Sequence, residues 1–114
     1  MKIVVKNGFL IVKDEKFKCS FGYNGLTDNK SEGDGRTPVG TFAINKILFR
    51  PDKINDYRFN LQSEIIKEKD GWCDDINSNF YNQKITFPFE YSAEYLYRSD
   101  DLYDIVCIID YNLR

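Results

Sequence analysis

The sequence predicts a small, mostly β domain with one short helix, and three observations carry the β prediction. Aromatic residues make up 16% of the chain, and aromatic side chains favour the pleated, half-buried surface of a sheet. The dipeptide Asn7-Gly8 separates two apolar runs, at residues 2–6 and 9–13, and is the strongest two-residue signal for a β-hairpin. Residues 105–109 form an uninterrupted apolar run, IVCII, bounded by acidic residues. Such a run is typical of a buried strand with neighbours on both sides.

Shorter patterns predict the elements between these two ends. A third strand is expected over residues 16–22, because Phe17, Cys19 and Phe21 alternate toward one face. Polar residues with several glycines predict a loop over 27–38. For the remaining segments we predict a strand or pair of strands at 39–49, a turn at 51–56 and a long ordered loop at 67–83. The pattern at 57–66 fits either a strand or a short helix.

The one helix is predicted over residues 91–98. Ser92 is a suitable N-cap, and Tyr91, Tyr95 and Leu96 share a face at helical spacing. A turn is expected to follow at residues 101–104.

Composition excludes several classes of function. The net charge is −2, with 16 basic and 18 acidic residues interspersed, so no basic stripe is present to neutralise the phosphates of a nucleic acid. The five-residue run at 105–109 is far shorter than the roughly 20 apolar residues that a spanning helix needs. Residues 1–6 have no apolar signal region. We predict a single domain, residues 1–114, with no membrane insertion and no cofactor.

A metal site is not predicted. The chain has no His, and its three Cys residues form no CxxC pair. Asp75, Asn77 and Asn79 resemble the opening of a calcium loop. However, Phe80 and Thr86 stand where that loop needs Gly and Glu.

A cysteine nucleophile is not predicted either. A catalytic thiol needs a lowered pKa, normally from an adjacent His, a helix N-terminus or a nearby cation. Cys107 lies in an apolar run, where burial raises the pKa, and Cys19 alternates inward with Phe17 and Phe21. Cys73 is followed by Asp residues, which disfavour the thiolate. We therefore expect no catalytic residue in this chain.

The sharpest local motif is GDGRTPVG, at residues 33–40. Its glycines permit positive φ and close approach to a ligand, and backbone N–H groups there could hold a carboxylate with help from Arg36. A plain connecting loop is the alternative. The motif lacks the Gly-Lys-Ser/Thr ending of a P-loop.

A second motif lies at residues 70–79. Trp72 could form an apolar wall, and Asp74 and Asp75 could accept hydrogen bonds from an amine. The alternative is a solvated acidic turn beside a packed Trp.

Taken in order, these and later segments resemble the L,D-transpeptidase catalytic-domain family (YkuD-type). The segments are GDGRTPVGTF (33–42), LFRPD (48–52), DGWCDD (70–75), Tyr-Asn (81–82), Ser-Ala-Glu and Leu-Tyr-Arg within 92–98, Leu-Tyr-Asp (102–104) and Tyr-Asn (111–112). The resemblance implies a mixed-sheet β-sandwich with one short helix. It also implies a role in peptidoglycan cross-linking, stem peptides as partners, and a place in the cell envelope or periplasm. A cytoplasmic place is the alternative, since no signal peptide is seen.

The resemblance also implies that the chain is inactive alone. Family enzymes attack a stem peptide with a Cys thiolate that a His activates, in a segment of His followed by Ser/Thr-x-Gly-Cys, C-terminal to the Tyr-Asn at 111–112. The sequence stops at Arg114, so we expect a fold incomplete at its C-terminus and a complementing C-terminal segment as a partner. Two alternatives are a non-catalytic module that binds peptidoglycan peptides and an unrelated structural β domain. The expected substrate-binding residues are Asp34, Arg36, Thr37, Trp72, Asp74 and Asp75.

Overall fold

The computed structural model describes residues 2–31, 33–54 and 59–111. In these ranges the chain forms eleven β-strands and no helix, so the mostly β prediction is confirmed. The strands make several small sheets, three of three strands and one of two. The chain divides into two compact units, Met1–Thr41 and Phe42–Arg114. Among the described residues no helix has the length and apolar character that crossing a membrane requires.

The first unit begins with an antiparallel meander. Its strands are β1 (Ile3–Lys6), β2 (Phe9–Val12) and β3 (Glu15–Lys18), followed by a short parallel pair, β4 (Leu26–Thr27) and β5 (Thr37–Pro38). Lys6 pairs with Phe9, so Asn7 and Gly8 are the whole loop between β1 and β2. Their φ angles are 53° and 80°, as a type I′ turn requires. The predicted hairpin is therefore confirmed.

The third strand is shorter than the sequence pattern predicts. β3 ends at Lys18, and Phe17 is 52% exposed rather than turned inward. The backbone then turns at Gly22, whose carbonyl accepts a hydrogen bond from Gly25 N at 2.8 Å. The loop predicted at 27–38 is closed by the pairing of its two ends in β4 and β5.

The second unit contains two three-stranded sheets. Its strands are β6 (Ile44–Phe49), β7 (Ser63–Ile65), β8 (Asp70–Cys73), β9 (Lys84–Thr86), β10 (Ala93–Tyr95) and β11 (Ile105–Ile109). One sheet is mixed: β6 lies in its centre, antiparallel to β11 and parallel to β7. The other is antiparallel, with β8 between β10 and β9. Strands are thus confirmed at 39–49 and at 105–109, and β7 resolves the undecided segment at 57–66 in favour of a strand, although residues 57 and 58 lie outside the described residues.

The core of this unit is apolar and lies around β6. Leu48, Ile66 and Leu96 are its fully buried members, at 1%, 3% and 2% exposed. Half-buried side chains pack against them: Trp72, Tyr97, Tyr103, Val106 and Ile108. Burial of a Leu or Ile side chain stabilises a fold by roughly 1.5–3 kcal/mol, so this cluster holds the sheets of the unit together.

Two predictions for this unit are wrong. The helix at residues 91–98 is absent, because Ala93–Tyr95 pairs with β8 as strand β10. The burial of neighbouring residues alternates as in a strand and does not follow the period of a helix: Leu96 is buried, whereas Tyr95 is 54% exposed. The Tyr95 ring stacks on Phe87, with ring centroids 3.8 Å apart. The polar segment 67–83 is not a continuous loop, since it contains β8, the centre of a sheet.

The burial predicted for residues 105–109 is also wrong. β11 lies at the edge of its sheet, with β6 as its one neighbour among the described strands. Ile105 is 47% and Ile109 37% exposed. Val106 and Ile108 face the core, so the run is apolar on both faces, although the described residues cover one face alone.

Candidate functional site

A groove of about 240 Å³ in the second unit is lined in part by β11. Residues 106–109 of β11 form one side. The other lining residues come from the segments before and after this strand: Trp72, Asn82, Glu94, Leu96, Tyr103 and Tyr111. Apolar walls with a few polar groups are what a small-ligand or peptide site usually presents.

The antiparallel ladder of β8 and β10 fixes one wall of the groove. Trp72 lies directly opposite Glu94 in this ladder. The Trp72 ring packs against the core cluster, and its Nε1 donates a hydrogen bond to Asn82 Oδ1 at 3.1 Å. An indole with an apolar body and a satisfied N–H is a rigid surface for a ligand to contact.

A carboxylate and a phenol lie together in the groove. Tyr103 donates its hydroxyl hydrogen bond to Glu94 Oε2 at 3.0 Å. Burial raises the pKa of the Tyr103 hydroxyl, and the hydrogen bond to Glu94 raises it further. Tyr103 therefore stays a neutral donor near neutral pH, and the exposed Glu94 side chain is its acceptor.

Cys107 is the one thiol that lines the groove. Its side chain is exposed, yet the apolar atoms around it reduce its hydration, and this desolvation raises the pKa of the thiol above its ordinary value. Cys73 is fully buried, with Sγ 3.9 Å from the carbonyl oxygen of Asp75. The environment of Cys107 therefore does not favour the thiolate that a nucleophile needs.

The three substrate-binding residues predicted within 70–75 do not lie at one site in the structure. Trp72 lines the groove, whereas Asp74 and Asp75 follow β8 in a turn and are not among the lining residues. Asp75 Oδ1 accepts a hydrogen bond from Asn77 N at 3.0 Å, and its carbonyl accepts one from Ser78 N at 3.0 Å. Asp75 thus stabilises the turn, in the way Asp residues commonly do.

The other three predicted residues lie in the first unit. The Asp34 carboxylate accepts hydrogen bonds from Lys30 Nζ at 2.7 Å, Ser31 N at 3.0 Å and Arg36 N at 2.8 Å. These contacts, with Lys30 the strongest, lower the pKa of Asp34 to about 2. Thr37 Oγ1 accepts a hydrogen bond from Gly22 N at 2.7 Å. Asp34 and Thr37 therefore hold the loop in shape.

Arg36 differs from these two neighbours because its side chain is exposed. The backbone around it is tightly packed: a Cβ atom at Gly22 would lie 2.8 Å from Arg36 Cα. The glycine at position 22 thus permits two segments of the loop to approach closely.

No protein-family model, curated protein or solved structure matches the chain. Within the described ranges, no group of three or more His, Cys, Asp or Glu side chains is placed to hold a metal ion.

Sequence reasoning missed Glu94 and Tyr103 as site residues. Both lie inside segments that carry the family resemblance, but neither stands in a local motif that points to binding. Their proximity comes from the pairing of β8 with β10 and from the turn at 101–104, and a helix over 91–98 would not have produced that arrangement. If residues 93–95 are predicted as a strand that pairs with 70–73, Glu94 is expected to lie opposite Trp72.

Proposed function

We propose that this chain is the substrate-binding part of an L,D-transpeptidase-type β-sandwich domain and that the groove binds the stem peptides of peptidoglycan. One observation carries the proposal. Six lining residues of the groove come from five of the separate segments that carry the family resemblance, at 70–75, 81–82, 92–98, 102–104 and 111–112. These segments are spread over about forty residues of the sequence, yet they meet on one concave surface. Such convergence of separate segments is typical of a shared ligand site.

The chemistry of the groove supports a peptide as that ligand. The walls are mostly apolar, and few lining residues carry a polar oxygen or amide group: Asn82, Glu94, Tyr103 and Tyr111. One side is formed by β11, an edge strand, and an edge strand can hydrogen-bond to an extended peptide backbone. A compact, fully polar ligand would leave the apolar walls without a partner.

The chain itself is proposed to bind without catalysing acyl transfer. It has no His to act as the base for a thiol. Cys73 is buried and the pKa of Cys107 is raised. Turnover would need a His and a reactive Cys from a complementing segment, and the cell envelope or periplasm is where such a protein would meet its substrate.

Titration of the protein with a synthetic stem tetrapeptide, followed by two-dimensional NMR, tests the proposal. The expected result is saturable shifts of the Trp72 indole and of the amides of β11, with the amides of β1 to β3 unchanged. Mass spectrometry after incubation with donor and acceptor peptides should show no cross-linked dimer. Absence of any shift at millimolar peptide would overturn the proposal.

A matched pair of variants localises the binding. Trp72→Ala removes the groove wall and should abolish the shifts of the β11 amides. Phe80→Ala removes an aromatic side chain that is 53% exposed and outside this groove, and should leave them unchanged. Equal loss in both variants would show that the peptide binds elsewhere.

A further inference from the structure

The backbone of β11 has two sets of hydrogen-bonding groups that point in opposite directions. Arg50 N donates to the Asp104 carbonyl at 2.9 Å, and Val106 lies opposite Leu48 in the same ladder. In an antiparallel pair, residues that exchange hydrogen bonds alternate with residues that do not. Residues 104, 106 and 108 therefore point their N–H and C=O groups at β6, and Ile105 and Cys107 point theirs away from it.

The partner strand shows the same alternation. Phe49 and Ile47, opposite Ile105 and Cys107, use their outward groups on the β7 side. Ile66 N donates to the Phe49 carbonyl at 2.7 Å, and Ile47 N donates to the Gln62 carbonyl at 3.0 Å. On the β11 side, no described strand takes the equivalent place. An edge of this kind is a ready template for an added strand.

The groove is lined by four consecutive residues of β11, 106–109, whose side chains alternate between the two faces of this edge strand. Glu94 also lines the groove, and among the described residues no Lys or Arg forms an ion pair with this carboxylate. Oε2 accepts the Tyr103 hydroxyl, while Oε1 has no hydrogen-bond donor in the described part of the chain. The nearby guanidinium of Arg98 is paired with Asp100 instead. A cationic group is thus the complement that this side of the groove lacks.

We propose that the bound peptide lies extended along β11, hydrogen-bonded to the backbone of Ile105 and Cys107, and that Glu94 selects a peptide whose side chain ends in a primary amine. The inference rests on the proposed function and adds to it the binding mode and the group that determines specificity. The added strand satisfies the outward backbone groups, and its side chains contact the apolar wall at Trp72. The ammonium donates to the free Glu94 oxygen, which is a charge-assisted hydrogen bond.

Amide hydrogen exchange tests the binding mode. Without peptide, the amides of Ile105 and Cys107 should exchange rapidly, whereas those of Val106 and Ile108, bonded to β6, should be protected. A saturating stem tetrapeptide with lysine as its diamino acid should slow exchange at Ile105 and Cys107 at least roughly tenfold. Binding that leaves both amides exchanging at the free rate would overturn the strand-addition mode.

Affinity measurements test the role of Glu94. Glu94→Gln keeps the size of the side chain and its acceptor for Tyr103 but removes the charge. It should weaken binding of the lysine peptide roughly tenfold, as expected for loss of a charged partner. The same peptide with its lysine acetylated should bind the wild type and the variant within about twofold of each other. The control Glu90→Gln changes an exposed carboxylate that does not line the groove and should have no effect.

The outcomes separate the two proposals. If neither peptide binds the wild type, the proposed function fails. If both peptides bind and Glu94→Gln leaves both affinities unchanged, the proposed function stands and the role of Glu94 is overturned.

Discussion

The guanidinium of Arg50 lies 3.6 Å above the ring of Tyr97. Arg50 is 4% exposed, and its Nε and Nη2 donate to the Asp52 carboxylate at 2.9 and 2.7 Å. Nη1 donates to the Arg98 carbonyl at 2.9 Å. One side chain therefore joins the end of β6 to the segment after β10. Asp52 raises the pKa of Arg50, so its charge is fixed at every accessible pH.

Replacement of this guanidinium should destabilise the second unit. Arg50→Lys keeps the charge but loses the planar stack and the fork that bonds Asp52, so unfolding in urea should show a loss of about 2–4 kcal/mol. Arg98→Lys is the control, because its ion pair with Asp100 is exposed and should contribute little to stability. Equal losses in the two variants would contradict the structural role of Arg50.

Gly71 in the centre of β8 should not tolerate a side chain. A Cβ atom there would overlap the ring of Phe87 and lie 2.9 Å from the Glu94 carbonyl oxygen. Gly71→Ala should cost about 1–3 kcal/mol, as overpacking of a core does, measured by urea denaturation. Gly8→Ala meets no atom within 4 Å but is strained at φ +80°, and should cost about 1 kcal/mol. A Gly71→Ala protein as stable as wild type would show that Phe87 can move away freely.

Acid should weaken the contribution of Glu64. Hydrogen bonds from Lys46 and Lys84, at 2.7 and 2.9 Å, lower the pKa of Glu64 from 4.5 to about 2. Because the folded pKa is the lower one, the stabilisation is complete above about pH 5 and is lost as pH falls toward 2.

The comparison of wild type with Glu64→Gln measures this contribution. Thermal unfolding should separate the two by about 1 kcal/mol at pH 7, since the pair is partly exposed, and the separation should shrink between pH 5 and pH 2. Glu68→Gln changes an exposed carboxylate with no ion pair among the described residues and should show no such trend. A separation independent of pH would rule out the ion pairs as its source.

The two thiols of the second unit should react differently with iodoacetamide. Cys107 is exposed but its pKa is raised by desolvation, so alkylation should be slow at pH 7 and become half-maximal above pH 9, the ordinary thiol value. Cys73, 0% exposed, should react only when the protein unfolds. Peptide mapping by mass spectrometry reads both sites. Rapid alkylation of Cys107 at pH 7 would contradict an unactivated thiol.

Local signals in the sequence were sufficient for some elements and not for others. Asn7-Gly8 specified its hairpin because both residues must adopt positive φ, a demand that does not depend on the rest of the fold. Residues 91–98 fit both a helical and an alternating pattern, and only pairing with β8, a tertiary event, decided in favour of a strand. The site followed the same rule: Trp72 was visible as an isolated aromatic, but Glu94 became a neighbour only through that ladder.

The central place of β6 has a consequence for how fast the second unit folds. β6 pairs with β11 between residues more than fifty positions apart, whereas β1, β2 and β3 pair with immediate neighbours. Closing a long loop lowers the conformational entropy of the chain before the stabilising contacts form. Pairings between residues far apart in the sequence therefore slow folding. Refolding should therefore show the hairpins of residues 3–18 forming early, and the pairing of β6 with β11 should set the slowest phase.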